Sequence, residues 1–389
     1  MRDREKNERI RLRQHITIGL VIGLSITTVL GLYTAWRWRL AEERLHQVAT
    51  EQEQKNLAEQ IAQVSLVPGT ESFAVKKLAL TRDAVWMTLF KRKVQEEQED
   101  KGKGLMRYDL KGSPSETYLA ENSVTALLVE EKDIWVGVSK DGTQQYLRHG
   151  SFQYGRWRFA NELVDAPDYV SSLVRDRQNR LWAGTYSGLC LQKSQQCQLI
   201  EEVQSLCSTP KELQVYQISL DKQRDLLWIA MAEGLIRWDL NAKTESSKCY
   251  WYNKNQSSQE ALFSGLLKTV TLDNRGLLWV SSNSGEVNRF IRGIDTPAWM
   301  DDVWKTYHPT SKEVKAVAAL PKGFFLAGTK QDGLFLYSPT RDTWIKVPLD
   351  LKKLQIVYDI ALGSDNHLWL ATKEGLYRSV EDIRIPENQ

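Results

Sequence analysis

Five histidines (His15, His46, His149, His308 and His367), four cysteines (Cys190, Cys197, Cys207 and Cys249) and a few charges on otherwise apolar runs are what this chain offers for chemistry. A zinc site would need thiolates or imidazoles at short regular spacing. There is no CxxC pair and no histidine in ligand spacing to a cysteine, so no metal and no other cofactor is expected. Acyl or phosphoryl transfer would show as a G-x-S-x-G elbow or a glycine-rich phosphate loop, and neither occurs. The cysteines suit disulfides better. Cys190 and Cys197 flank a turn; if it is centred between Lys193 and Ser194 they lie directly opposite each other at a non-hydrogen-bonded site, within bonding reach. Free thiols are the alternative. A second link, Cys207 to Cys249, would join a loop to the outer strand of the next unit, and both bonds require an oxidising compartment.

The elements that position these residues repeat. Aligned on an aromatic or leucine at 86, 135, 182, 228, 279, 326 and 369, the chain carries seven copies of one pattern, spaced by 49, 47, 46, 51, 47 and 43 residues. The clearest copy is VSSLVRDRQNRLWAGTYSGLCLQ from Val170, followed by close relatives from Gln217, Thr269 and Asp359. Within each copy, short runs of alternating polarity rich in Val, Ile, Leu and aromatics are broken by Gly, Asp, Asn or Ser, the reading of four antiparallel strands, here A to D. A sheet apolar on both faces cannot stand alone, and a period near 47 points to blades stacked radially into a ring. The expected fold is all-β, a seven-bladed β-propeller. The strand-B tryptophans are expected to wedge between blades, and the Asp that closes several A strands to make an Asx turn into strand B.

The repeat resembles the two-component regulator propeller family, whose core is Asp-x-x-Gly-x-Leu-Trp-Ile-Gly-Thr followed by Gly-Leu. It stands here as Asp176 to Thr185 with Gly188 and Leu189, Asp273 to Ser282 with Gly285, and Asp365 to Thr372 with Gly375 and Leu376. The resemblance covers about residues 70 to 385 and implies the fold. Its best-known members are extracytoplasmic sensors of large histidine kinases, so it also implies a sensing or docking role, without kinase activity.

The N-terminus is of another kind. Ile16 to Ala35 are twenty consecutive uncharged, mostly apolar residues, and at about 1.5 Å rise each they match the roughly 30 Å hydrocarbon core of a bilayer. The run is too long for a cleaved signal and lacks a small-x-small site behind it. We expect a basic cytoplasmic tail (1–14), one transmembrane helix (15–36), a helical stalk (37–69) and the propeller (70–389). Arg2, Arg4, Lys6, Arg9, Arg11 and Arg13 precede the span, which favours a cytoplasmic N-terminus in a bacterial inner membrane with the ring in the periplasm; a ring facing the cytoplasm is the alternative. Gly19 and Gly23 form a GxxxG that could serve a homodimer. Residues 1–50 hold nine Lys and Arg against five Asp and Glu, which leaves the rest at 43 against 44. A neutral ring argues against nucleic acid, which calls for a concentrated basic face.

Function is then expected in the loops. The B–C and D–A loops of a propeller share one face, and here they supply Lys140, Asp141, Asp168, Tyr169, Tyr186, Glu233, Asn283, His308, Lys330, Asp332, Lys373 and Glu374 as candidate contacts to a protein, peptide or glycan. Asp359 is the main carboxylate of the A strands, and Lys76, Lys77, Lys268 and Lys315 are their main cations. These read as solvated channel charges. A propeller lyase or hydrolase working at the channel mouth, through Asp359 or His308, is the competing reading.

Overall fold

The computed structural model describes residues 33, 36–92, 101–111, 115–209, 213–253, 266–273, 275–291, 303–350, 352 and 354–386. The apolar run Ile16 to Ala35, with Gly19 and Gly23, lies outside these apart from Tyr33, as do most of the charged insertion after Lys91 and of the excursion after Tyr252. No helix among the described residues is long and apolar enough to cross a membrane. The chain separates into two compact units, residues 1–54 and 55–389. A helix runs over residues 36–62, and every described strand belongs to the second unit.

The strands of that unit fall into antiparallel quartets in the order A-B-C-D. The first is Phe73–Leu80, Ala84–Lys91, Gly102–Asp109 and Glu116–Tyr118; the second Ser123–Val129, Asp133–Lys140, Gln144–Gln153 and Arg156–Asp165. The third is Val170–Arg175, Leu181–Thr185, Gly188–Lys193 and Gln196–Leu199; the fourth Val215–Asp221, Leu226–Met231, Gly234–Asp239 and Cys249–Tyr252. The fifth is Leu267–Leu272, Leu278–Ser282, Val287–Ile291 and Val303–Tyr307; the sixth Val314–Ala319, Phe325–Thr329, Leu334–Ser338 and Thr343–Lys346. The last has Val357–Leu362, Leu368–Thr372 and Gly375–Ser379, and takes its outer strand from the other end of the unit: Val64–Leu66 pairs with Gly375–Ser379, Ser65 opposite Arg378. That strand lies upstream of Pro68 and Gly69, inside the segment read from sequence as stalk. A single parallel bridge, Gln196 to Asp165, joins the second and third quartets into one eight-stranded sheet.

Each A strand packs against the A strands of its two neighbours, and the first against the last. Between quartets sit the apolar side chains that one sheet cannot cover by itself. Trp86, Trp279 and Trp369 are fully buried, Trp182 and Trp228 nearly so, and Leu326 fills the same slot in the sixth quartet. Close approach explains the small residues that follow them. A Cβ built on Gly137, Gly184 or Gly328 would stand 2.7 Å from the valine that opens the next quartet's A strand, Val170, Val215 or Val357.

The A–B turn is built on its aspartate. Asp176 Oδ1 accepts the amides of Gln178 and Arg180, both at 2.9 Å, and Oδ2 accepts Arg180 Nε at 2.6 Å and the indole N–H of Trp182 at 2.8 Å. Asp273 repeats this with Arg275, Leu277 and, at 3.5 Å, Trp279. The fourth residue of the turn, Asn179 or Gly276, has positive φ (63° and 75°), which is why the motif asks for glycine or asparagine there. In the last quartet the aspartate's slot belongs to Gly363. Its amide makes the same turn bond, to His367, and Asn366 takes the left-handed position. Asp365, which the sequence motif suggested as the counterpart, lies two residues on. Its Oδ1 stands 2.3 Å from where a Cβ on Gly363 would fall, so the carboxylate comes from a different backbone position.

The cysteines are joined as Cys190–Cys197 and Cys207–Cys249, with Cα separations of 5.5 and 5.4 Å. The register of the first hairpin differs from the sequence expectation. Lys193 faces Gln196 across a two-residue turn with Ser194 at φ 53°, so Cys190 lies opposite Leu199 and Cys197 opposite Gln192. The bond therefore runs diagonally across the pair of strands. Cys207 ends the short helix Glu202–Cys207, and Cys249 opens the D strand of the fourth quartet.

Candidate functional site

The inner strands line a cavity of about 230 Å³ to which every A strand contributes, among them Lys77, Ser171, Gln217, Thr269, Lys315 and Asp359. Each A strand carries a register shift near its start: between Val75 and Leu78, Val124 and Ala126, Val170 and Ser172, Val215 and Gln217, Leu267 and Thr269, Val314 and Ala316, and Val357 and Asp359. Such a bulge re-aims the residue it leaves unpaired. Around the unit those residues are Lys76 with Lys77, Thr125, Ser171, Tyr216, Lys268, Lys315 and Tyr358.

Asp359 is not a solvated charge. Its Oδ2 accepts the amide of Leu78 in the first quartet and its Oδ1 accepts that of Ile360, both at 2.9 Å. The same bond recurs elsewhere. Ser172 Oγ accepts the amide of Ile218 at 3.2 Å, and Gln217 Oε1 that of Val270 at 3.1 Å, each reaching from one A strand to the next. Asp359 thus ties the last quartet to the first. Burial raises its pKa above the ordinary carboxylate value, opposed by the charge of Lys77 and by the two amides. Two of the histidines are likewise structural: His149 stacks on Trp135 with 4.8 Å between centroids and meets Asp133 at 2.8 Å, and His367 Nδ1 lies 3.1 Å from the carbonyl of Ser379.

The rim loops are tied together. The amides of Tyr186, Ala232, Asn283 and Lys330, on B–C loops, donate to the carbonyls of Tyr169, Gln214, Leu266 and Glu313, each just ahead of an A strand, at 3.1, 3.1, 3.2 and 2.9 Å. Side chains reinforce two of these ties. Asp168 accepts the amide of Tyr169 and the hydroxyl of Ser187, at 2.6 and 2.8 Å, and Asp332 accepts the hydroxyl of Thr310. Glu374 is spent on an ion pair with Arg92, and the Glu233 carbonyl accepts the Trp251 indole. Lys140, Asp141 and His308 are exposed, with Asp141 in a left-handed turn, and Lys373 is half-buried. The twelve rim candidates therefore share the loop end of the quartets without converging on one site.

One group does converge, and its residue types alone reveal it only in part. The rings of Tyr169 and Tyr186 lie 4.7 Å apart, and those of Tyr186 and Tyr216 5.9 Å. The Lys268 ammonium sits 3.6 Å from the centroid of Tyr216. Beyond it Lys315 pairs with Glu313 at 2.9 Å. Burial raises the pKa of the Tyr186 and Tyr216 hydroxyls, and burial also lowers that of the Lys268 ammonium; Glu313 opposes that fall and Lys315 adds to it. Tyr216 escapes a reading of the sequence because nothing in it marks which residue of an A strand is bulged, and Glu313, just ahead of an A strand, because nothing in it pairs that residue with Lys315. Among the described residues no cluster of His, Cys, Asp or Glu is arranged to hold a metal ion.

A model of the two component regulator propeller matches residues 166–187, the A–B hairpin of the third quartet and its B–C turn. That segment is similar to the family's repeat. No curated protein matches the chain. Among solved structures, the extracellular domain of a B. thetaiotaomicron protein assigned as a one component system aligns at 16% identity and TM-score 0.57, over 82% of this chain and 40% of its own. The chain thus spans less than half of that domain. Streptogramin B lyase aligns at 14% identity and TM-score 0.59, over 81% of this chain and 96% of its own; YCF48 bound to D1 peptide aligns at 14% and 0.55, over 83% and 96%. At such identities the likeness is one of fold.

Proposed function

We propose that the chain is a single-pass, extracytoplasmic, seven-bladed β-propeller that senses a ligand or docks a protein, as an accessory to signalling or envelope assembly, without chemistry of its own. The observation that carries this reading is the rim: loops tied by recurring amide-to-carbonyl bonds hold aromatic and cationic side chains at the open end of the inner strands. A rigid scaffold presenting such loops is suited to binding. Neighbours in the fold include both an extracellular regulator domain and a propeller bound to a peptide. A lyase shares the fold as well, but the best-placed carboxylate, Asp359, has both oxygens engaged by backbone amides.

Membrane anchoring through Ile16 to Ala35, a basic tail inside, a periplasmic ring and a dimer through Gly19 and Gly23 belong to the same proposal and rest on sequence alone. The test is a reporter fused behind Gln389 that is active only after export, combined with crosslinking of the membrane-bound protein in its native cells. An active reporter and captured partners at the rim are expected. A reporter that works only in the cytoplasm would overturn the topology, and catalytic turnover abolished by Asp359→Asn without loss of folding would overturn the binding role.

A further inference from the structure

We propose that the face formed by Tyr169, Tyr186, Tyr216, Lys268 and Lys315 is a recognition site for an organic carboxylate, with the acid group between the two lysines and its apolar body on the tyrosines. This site rests on the proposed binding role and deepens it by naming the ligand chemistry and its place on the rim.

Three observations combine. The first is an imbalance of charge: Lys315 has Glu313 at 2.9 Å, whereas Lys268 has no carboxylate within 4 Å among the described residues and rests on the ring of Tyr216 instead. A cation held on an aromatic face keeps its remaining N–H donors for another acceptor. The second is that both lysines occupy bulge positions of adjacent A strands, beside the cavity that Lys315 and Thr269, the neighbour of Lys268, line. With Glu313 paired to Lys315 alone, one more negative group would balance the two ammoniums, and each amine can donate to one of its oxygens. The third is the row of tyrosine rings running from Lys268 across the fourth quartet to the third, with centroid spacings of 5.9 and 4.7 Å. Tyr186, the middle ring of that row, remains 36% exposed, so part of the row is accessible to a ligand. Backbone bonds fix the platform in advance, through Tyr186 to Tyr169 and Lys330 to Glu313. A phosphate would find two ammoniums but no guanidinium fork, and a neutral ligand would leave the lysines unused.

Isothermal titration of the full-length protein in detergent tests the assignment with four probes: an N-acetylated dipeptide ending in Tyr with a free carboxylate, the same dipeptide as its amide, glucuronate, and glucose. At least one of the two acids is expected to bind, with its neutral counterpart at least tenfold weaker. Binding of the peptide acid alone identifies a chain end as the source, and binding of glucuronate alone an acidic sugar. Lys268→Gln is expected to weaken the acid about tenfold or more, and Glu313→Gln, which removes the competing carboxylate, to strengthen it. The second variant keeps the test decisive should the first fold poorly. Equal binding of acid and neutral probes, no binding of either acid, or tighter binding in Lys268→Gln would overturn the site. The loss of this site alone leaves the wider binding role standing, since crosslinking reads that role independently.

Discussion

Asp176 shows how much one side chain can organise in this repeat. Its carboxylate accepts two amides, a guanidinium and an indole N–H. Burial opposes its charge, but those bonds, the indole first, hold its pKa below the usual carboxylate value. Asp221 has the turn amides and Arg224 but no indole, because Trp228 stands seven residues on where Trp182 stands six, and the Trp228 N–H is left unpartnered. Asp176→Ala is therefore expected to cost about 3 kcal/mol and Asp221→Ala about 1 kcal/mol less, since a buried donor left unmet costs about that much; denaturant unfolding of both variants measures the difference. Asp342 makes a pH prediction. Burial opposes its charge, yet Lys305, Tyr307, Tyr337 and Arg289 together hold its pKa at about 2. An unfolded aspartate titrates near about 4, so its contribution is complete above that pH and is lost as pH falls from about 4 to about 2. Unfolding free energy measured across that window should fall less steeply in Asp342→Asn than in the parent protein.

At the scale of elements, the repeat was legible because a blade needs the same solutions each time: a turn residue with positive φ, a buried aromatic, and a small residue where the next valine approaches. What was hidden is register and borrowed structure. A one-residue shift of the turn after Lys193 moves Cys197 from Cys190 to Gln192 without changing the alternation pattern. The three residues Val64–Leu66 are too few to announce a strand. Bulges, which put Lys268 and Lys315 at unpaired positions of adjacent A strands, leave no trace in composition. The two disulfides invite a direct comparison. By loop-closure entropy, the bond spanning 42 residues (Cys207–Cys249) is expected to contribute about 4 kcal/mol and the one spanning 7 (Cys190–Cys197) about 2.4 kcal/mol. Paired Cys→Ser variants, unfolded in urea, would show the larger loss for the longer loop if chain entropy dominates.

Over the whole second unit the decisive property is closure. A linear array of blades would leave two exposed faces and could fray from either end, because each blade would contact only its neighbours. Here the last quartet takes Val64–Leu66 from the start of the unit, and its Asp359 carboxylate binds the amide of Leu78 in the first. The first and last quartets are thereby held twice, once at the outer edge and once at the axis. Ser172 and Gln217 repeat the axial tie at two junctions further round, so the junction between last and first quartets is fastened at the axis in the same way as two junctions inside the unit. That makes unfolding a property of the unit rather than of a blade. Ser172→Ala, between the third and fourth quartets, and Asp359→Ala, between the last and first, remove equivalent bonds at distant junctions. Each is expected to lower the unfolding free energy of one shared transition by an amount on the order of 1–3 kcal/mol, with Trp fluorescence and far-UV circular dichroism coinciding. The two losses should add in the double variant, since the sites share no partners. Separate transitions, or an early step seen only in Asp359→Ala, would mean that the seam between last and first quartets is weaker than the other junctions and that the ring opens there.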